Sequence, residues 1–192
     1  MYNPFSLYGK TILITGASSG IGRATAIECS KLGAKLIITG RNIERLDETW
    51  EQLEGEGHFK IVANLTIENQ QGDIVNSLPE IDGLVNSAGI LKSMPFNFIR
   101  KKDLLEVFDT NFFAPVLLSQ RIIKSRKLKK GGSIVFISSI EGPLITHAGN
   151  SIYSASKSAV SAIAKSMAIE LASKSIRVNC VLPGMTETPL IN

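Results

Sequence analysis

The chain has 192 residues, 44% of them hydrophobic and 20% charged, a balance that suits a folded globular protein and excludes a disordered one. Its net charge of +4 is only mildly basic, compatible with an anionic ligand but no argument for nucleic acid. No apolar stretch is long enough to span a bilayer, no Cys/His spacing resembles a zinc site, and Met1 to Ser6 lack a charged start followed by an apolar run. The expectation is a cytoplasmic protein with no membrane, metal or nucleic-acid partner.

Apolar runs alternate with helix-like segments along the whole chain. Residues 11–15 (Thr-Ile-Leu-Ile-Thr) are short and rich in branched side chains, so they predict a buried strand ending at Gly16. A helix over 21–32, closed by Gly33, a second strand over 35–39 and an amphipathic helix over 45–53 follow. Strands are predicted at 58–63, 81–85, 133–137 and 176–181, with a short polar helix around Gly72 after the first of these. A long helix is expected over 102–126, entered through Asp103, with Pro115 breaking its hydrogen bonding. Another is expected over about 151–173, its Ala and Ser content leaving one smooth face.

The basic stretch Arg121, Lys124, Arg126, Lys127, Lys129 and Lys130 then falls at a helix C-terminus, where cations are favoured. No aromatic residues interleave with it, as a nucleic-acid surface would require. Cys29 and Cys180 are read as buried thiols, and Trp50 with Phe96, Phe98, Phe108, Phe112 and Phe113 as core or interface. Six strands alternating with helices imply an α/β fold: a mostly parallel sheet with helices on both faces, its ligand outside the carboxyl ends of the strands.

Two patterns carry chemistry. Thr15-Gly16-Ala-Ser18-Ser19-Gly20-Ile21-Gly22 joins the first strand to the first helix. Glycines there let the backbone approach a pyrophosphate, which would rest on the free N–H groups of the helix start. Tyr153 and Lys157 are four residues apart on a predicted helix, which puts the ammonium beside the phenol. A neighbouring cation favours the phenolate and would make the Tyr a usable acid or base.

With these in chain order, the sequence resembles the short-chain dehydrogenase/reductase family, the matching motifs running from Thr15 to Thr188. The resemblance implies a doubly wound Rossmann fold, one NAD(P)-binding domain over residues 1–192, and a catalytic set of Asn111, Ser139, Tyr153 and Lys157. Ser138 is the neighbouring candidate for the hydroxyl. Cofactor contacts are implied at Gly16, Ser18, Ser19, Gly20, Ile21, Gly22, Arg41, Asn64, Leu65, Asn86, Ala88, Gly89, Tyr153, Lys157, Pro183, Gly184 and Thr188. Ser87 stands where the family has a second Asn, and Asn64 where it has an Asp whose oxygen accepts from adenine.

After the second strand the chain has Gly40 and Arg41 instead of an acidic residue, the pattern that prefers NADP (NADPH) over NAD; Arg23 is expected to add charge. His147, in the substrate-side loop, is read as solvated, with substrate contact as the alternative. Family members continue past Thr188 with a substrate lid and a seventh strand, both expected to be absent here. The implied activity is hydride transfer between NADP and a carbonyl or secondary alcohol, 3-oxoacyl-acyl carrier protein reduction among the candidates. The substrate would be a small molecule or an acyl-carrier-bound carbonyl compound, and the protein a homodimer or homotetramer. The alternative is a non-catalytic nucleotide-binding regulatory protein, or a truncated inactive form.

Overall fold

Six parallel strands are hydrogen-bonded in the order β3-β2-β1-β4-β5-β6 in the computed structural model, which describes residues 3–189. They are β1 (Thr11–Thr15), β2 (Lys35–Gly40), β3 (Phe59–Val62), β4 (Ile81–Asn86), β5 (Leu128–Ile137) and β6 (Arg177–Val181). The helices between them are α1 (Gly20–Lys31), α2 (Ile43–Trp50), α3 (Glu68–Ser77), α4 (Lys101–Phe108), α5 (Ala114–Lys124) and α6 (Ser151–Leu171).

The two-residue period of a strand builds the two faces. On one, Leu13 and Ile37 pack with Ile74 of α3, Leu118 and Ile122 of α5, and Val160 of α6. On the other, Ile12, Ile14, Leu36 and Ile38 pack with Ala26 of α1 and Leu46 of α2. Burial on both faces explains why β1 and β2 read as continuous apolar runs. Strand order reverses between β1 and β4, so their carboxyl ends diverge into helices on opposite faces and leave a crevice between them.

Three expectations need correction. The long helix over 102–126 is two helices, α4 and α5, joined by a π-helical turn at Asp109–Phe113 in which the Ala114 N–H reaches back to the Asp109 carbonyl. Pro115 has no N–H to continue the ordinary ladder and sits at the start of α5, so the chain widens one turn ahead of it. The fifth strand begins at Leu128, with a register shift opposite Ile81 to Gly83. Lys129 and Lys130 therefore belong to a strand, not a helix end. Lys129 pairs with Asp82, Arg121 with Glu68, and the Lys127 Nζ donates to the Leu78 carbonyl. Finally, Cys29 and Cys180 are half-buried, although burial still pushes both thiols above their ordinary values. Among the described residues, no helix is long and apolar enough to cross a membrane.

The segment from β4 to α4 borders the crevice and is pinned by Asp103. Its carboxylate accepts from the Arg100 N–H and Nε at 3.1 and 3.0 Å and lies 2.8 Å from Lys92 Nζ. The Arg100 guanidinium, then the Lys92 ammonium, hold the carboxyl well below the usual carboxylate range. A depressed folded-state pKa adds stability that is present above the unfolded value and is lost as pH falls below about 4. Asp103→Asn is expected to lower the melting temperature by roughly 5 °C at neutral pH. The deficit should shrink at about pH 3, checked by paired thermal melts.

Candidate active site

Gly16 ends β1 with φ +66°, and a Cβ built there would lie 2.6 Å from the Ala88 amide nitrogen. A Cβ on Gly22 would lie 2.2 Å from the Gly16 carbonyl oxygen. Both glycines are thus required by backbone packed on backbone. The buried Thr15 hydroxyl accepts from the Ser87 and Ala88 N–H groups at 3.1 and 3.3 Å, tying the carboxyl ends of β1 and β4 together. Ser19 caps α1 without a side-chain hydrogen bond, no acidic residue occupies the first turn, and the first backbone bond is from Arg23 N–H to the Ser19 carbonyl. Free N–H groups at the start of a 12-residue helix, framed by glycines, fit a pyrophosphate.

This turn forms one end of a cleft of about 600 Å³ that runs along the carboxyl ends of β2, β1, β4, β5 and β6. Gly16, Ser18, Ser19, Gly20, Ile21, Gly22, Arg41, Asn64, Leu65, Ala88, Gly89, Ser139, Tyr153, Lys157, Pro183, Gly184 and Thr188 all line it. Asn86 and Asn111 do not. Asn86 is buried with its Nδ2 donating to the Ser119 hydroxyl of α5, away from the cleft. Asn111, aimed inward by the π-helical turn, accepts from the Ile90 N–H at 2.8 Å and donates to the Ile90 carbonyl and the Ser156 hydroxyl. A Cβ on Gly89 would lie 3.3 Å from Asn111 Oδ1 and 3.6 Å from Lys157 Nζ, so the Asn braces the wall beside the Lys.

The two adjacent serines at the end of β5 separate by role. Ser138 is buried, donating to the Lys157 carbonyl and bonded to the Ser161 hydroxyl. Ser139 lines the cleft, its Oγ accepting the Glu141 N–H at 3.0 Å. Tyr153 and Lys157 follow on α6. Lys157 Nζ donates to the Ile137 carbonyl at 2.7 Å and lies 5.6 Å from the Tyr153 ring centroid.

The expected depression of the phenol by Lys157 is not found. Burial pushes the Tyr153 phenol up, the Ser139 hydroxyl draws it back, and the Glu141 charge pushes it up again. Burial also pushes the Lys157 ammonium down to about 8. Desolvation moves each group toward its neutral form, and the ammonium is committed to a carbonyl rather than to the phenol.

At the other end of the cleft, Arg41 is exposed on its wall and forms no hydrogen bond or ion pair among the described residues. Arg23 is committed elsewhere: its Nη2 donates to the Ser18 and Arg45 carbonyls and to Glu48, so it props the glycine turn and does not line the cleft. Arg45 takes the place expected of Arg23. Its N–H donates to Asn42 Oδ1 at the start of α2, and the residue lines the cleft with Arg41. Asn42, a ready N-cap three residues before Arg45, is the sequence signal that a helix start presents Arg45 near Arg41. Asn64 lines the cleft, and its Oδ1 accepts from the Thr66 N–H and hydroxyl. His147 is 64% exposed in its side chain but is not simply solvated, since its Nδ1 meets Glu141 at 3.2 Å. Glu141 itself lines the cleft and was passed over in the sequence.

The short chain dehydrogenase family profile matches residues 10–192. Over 184 residues the chain is 36% identical to the 3-oxoacyl-[acyl-carrier-protein] reductase of Rickettsia bellii, covering 96% of this chain and 76% of that protein. It is 34% identical to the 5-keto-D-gluconate 5-reductase of Escherichia coli K12, covering 99% of this chain and 77% of the relative. A dehydrogenase/reductase from Sinorhizobium meliloti superposes with a TM-score of 0.87 at 36% identity, over 97% of this chain and 76% of that one. A proposed NAD(P)-dependent gluconate 5-dehydrogenase from Beutenbergia cavernae, with NADP bound at low occupancy, does so at 0.87 and 31%, over 98% and 77%. Fold and cleft are those of an oxidoreductase that interconverts CH–OH and C=O groups with a nicotinamide cofactor. The chain belongs to the short-chain dehydrogenase/reductase family.

A Lys whose folded pKa lies near 8 loses its proton in the folded state before it does so in the unfolded chain. Stability contributed through Lys157 is therefore least below about pH 8 and rises toward about pH 10. Relative to Lys157→Met, the wild-type protein is expected to gain melting temperature across that interval. Parallel curves for the two proteins would contradict it.

Proposed function

We propose that this protein is an NADPH-dependent carbonyl reductase whose proton donor is Tyr153. One observation carries the reading: the glycine turn, a pair of arginines and the Ser139, Tyr153, Lys157 group line one continuous cleft. The cofactor, when bound, supplies the hydride. Free N–H groups of Gly20, Ile21 and Gly22 hold its pyrophosphate, and Ser18 and Ser19 close the turn. Arg41 and Arg45 receive the 2′-phosphate, Leu65 and the Asn64 turn border the adenine, and Ala88 and Gly89 border the riboses. Pro183, Gly184 and Thr188 flank the nicotinamide.

Ser139 donates a hydrogen bond to the substrate carbonyl oxygen and stabilises the charge that develops there. Tyr153 then gives its proton to that oxygen; a phenol raised by burial is fully protonated at neutral pH and ready as the acid. Lys157, held by Ile137 beside the Tyr153 ring, orients the cofactor ribose. Asn111 acts through Ile90 and Ser156 as a positioning residue.

The substrate class spans ketones, 3-oxoacyl thioesters and polyhydroxy keto acids among them, since reductases with each name are among the relatives. We place the protein in the cytoplasm, as one NAD(P)-binding domain over residues 1–192. Its assembly is a homodimer or homotetramer. Leu104, Leu105, Phe113 and Leu117 are each at least 40% exposed on α4, the π-helical turn and α5, and support helix pairing across a two-fold axis.

Fluorescence titration is expected to show tighter binding of NADPH than of NADH. Arg41→Ala should weaken NADPH roughly tenfold or more while leaving NADH within about twofold. A wild-type preference for NADH would overturn the phosphate assignment. Tyr153→Phe is expected to cut ketone reduction by roughly 1,000-fold or more with NADPH affinity nearly unchanged. Turnover retained in that variant would remove Tyr153 as the acid.

A further inference from the structure

Glu141 is the carboxylate among the described residues of the cleft, and the reductase chemistry leaves it unused. It stands two positions after Ser139, and its own N–H is bonded to the Ser139 hydroxyl at 3.0 Å. Glu141 lines the same cleft as Ser139 and Tyr153, and its charge acts on the Tyr153 phenol. Its side chain is only 14% exposed. Oε1 accepts from the His147 N–H and Nδ1, both at 3.2 Å, and from Asn150 Nδ2 at 3.1 Å. Asn150 is in turn bonded to Ser93, and Gly149 to Met94, so the loop carrying these partners is tied to the opposite rim. Gly142 is packed so closely on α6 that an added Cβ would lie 2.2 Å from the Ser154 carbonyl, which fixes the loop from below. Oε2 accepts no hydrogen bond among the described residues.

We infer that Glu141 is a specificity-determining residue whose Oε2 accepts a hydrogen bond from a hydroxyl on the substrate. This rests on the carbonyl-reductase reading and narrows it to uncharged ketones that carry a hydroxyl close to the reacting carbon. Three physical effects point the same way. A held, largely desolvated carboxylate makes a strong hydrogen bond to a hydroxyl. An apolar group in that place would leave Oε2 without a donor while Oε1 keeps its own, and sites built to bond a hydroxyl reject the analogue lacking it. An anionic group there would meet a like charge. The neighbouring Ile140, Ile145 and Leu91 accept the carbon skeleton but offer no side-chain donor that would neutralise Glu141.

The test uses three probes of similar size with NADPH: 4-hydroxy-2-butanone, 2-pentanone and the acetoacetate anion. In the wild-type protein, kcat/KM is expected to be roughly tenfold or more higher for the hydroxyketone than for 2-pentanone, with acetoacetate slowest. Glu141→Gln keeps the side-chain shape and removes the charge; it should reduce the first ratio several-fold and raise the relative rate on acetoacetate. NADPH titration and thermal melting establish that the variant is folded. A wild-type ratio near one, or a ratio unchanged in Glu141→Gln, overturns the inference and leaves carbonyl reduction standing. No turnover of any probe by the wild-type protein, despite NADPH binding, overturns the inference; absence of turnover with a 3-oxoacyl thioester as well overturns carbonyl reduction with it. If the variant does not fold, the wild-type ratio alone decides.

Discussion

The close approach of two backbones, the Gly16 turn after β1 and the Ser87 to Gly89 segment after β4, is the constraint on which the cleft depends. It occurs where strand order reverses, and the Thr15 hydroxyl bridges it by accepting two N–H groups from the far side. A side chain at Gly16 would have to occupy the same space as the Ala88 amide. The same contact brings Gly89 under Asn111 and Lys157, so the phosphate end and the chemical end of the cleft share one rigid wall. Precision at Tyr153 is thus inherited from a glycine turn on the other side of the switch point.

Desolvation sets the chemistry on that wall. Lys157 is almost fully enclosed and Tyr153 largely so, and each is driven toward its neutral form. Buried polar groups must then find partners: Lys157 takes the Ile137 carbonyl, Ser138 takes the Lys157 carbonyl and Ser161, and Asn111 takes both backbone groups of Ile90. The resulting network stiffens the end of β5, the start of α6 and the π-helical turn against one another. The π-helical turn just ahead of Pro115 carries Asn111, which joins the network through Ser156.

Along the cleft the logic reverses at two charged positions, where polar atoms are left uncommitted. Arg41 is unpaired among the described residues, and Glu141 keeps one carboxylate oxygen unbonded. Arg23, by contrast, is satisfied by Glu48 and Lys129 by Asp82, while Arg41 and the second oxygen of Glu141 have no such partner among the described residues. Ligand recognition is concentrated where internal pairing stops.

Local sequence determined the elements that rest on local physics. Branched apolar runs specified six strands, glycine spacing specified the phosphate turn, and the spacing of Tyr153 and Lys157 put both on one helix. Those patterns depend on residues within a turn or two of each other, so they are legible without the fold. Tertiary structure decided the rest. Whether Ser138 or Ser139 faces the cleft, whether Arg23 or Arg45 stands beside Arg41, and whether Asn86 points inward depend on which neighbour each side chain meets across 20 or more residues. The pKa of Tyr153 followed the same rule: adjacency on a helix suggested depression, but burial by distant segments raised it. Desolvation and pairing are properties of the assembled interior, and no spacing along the chain encodes them on its own.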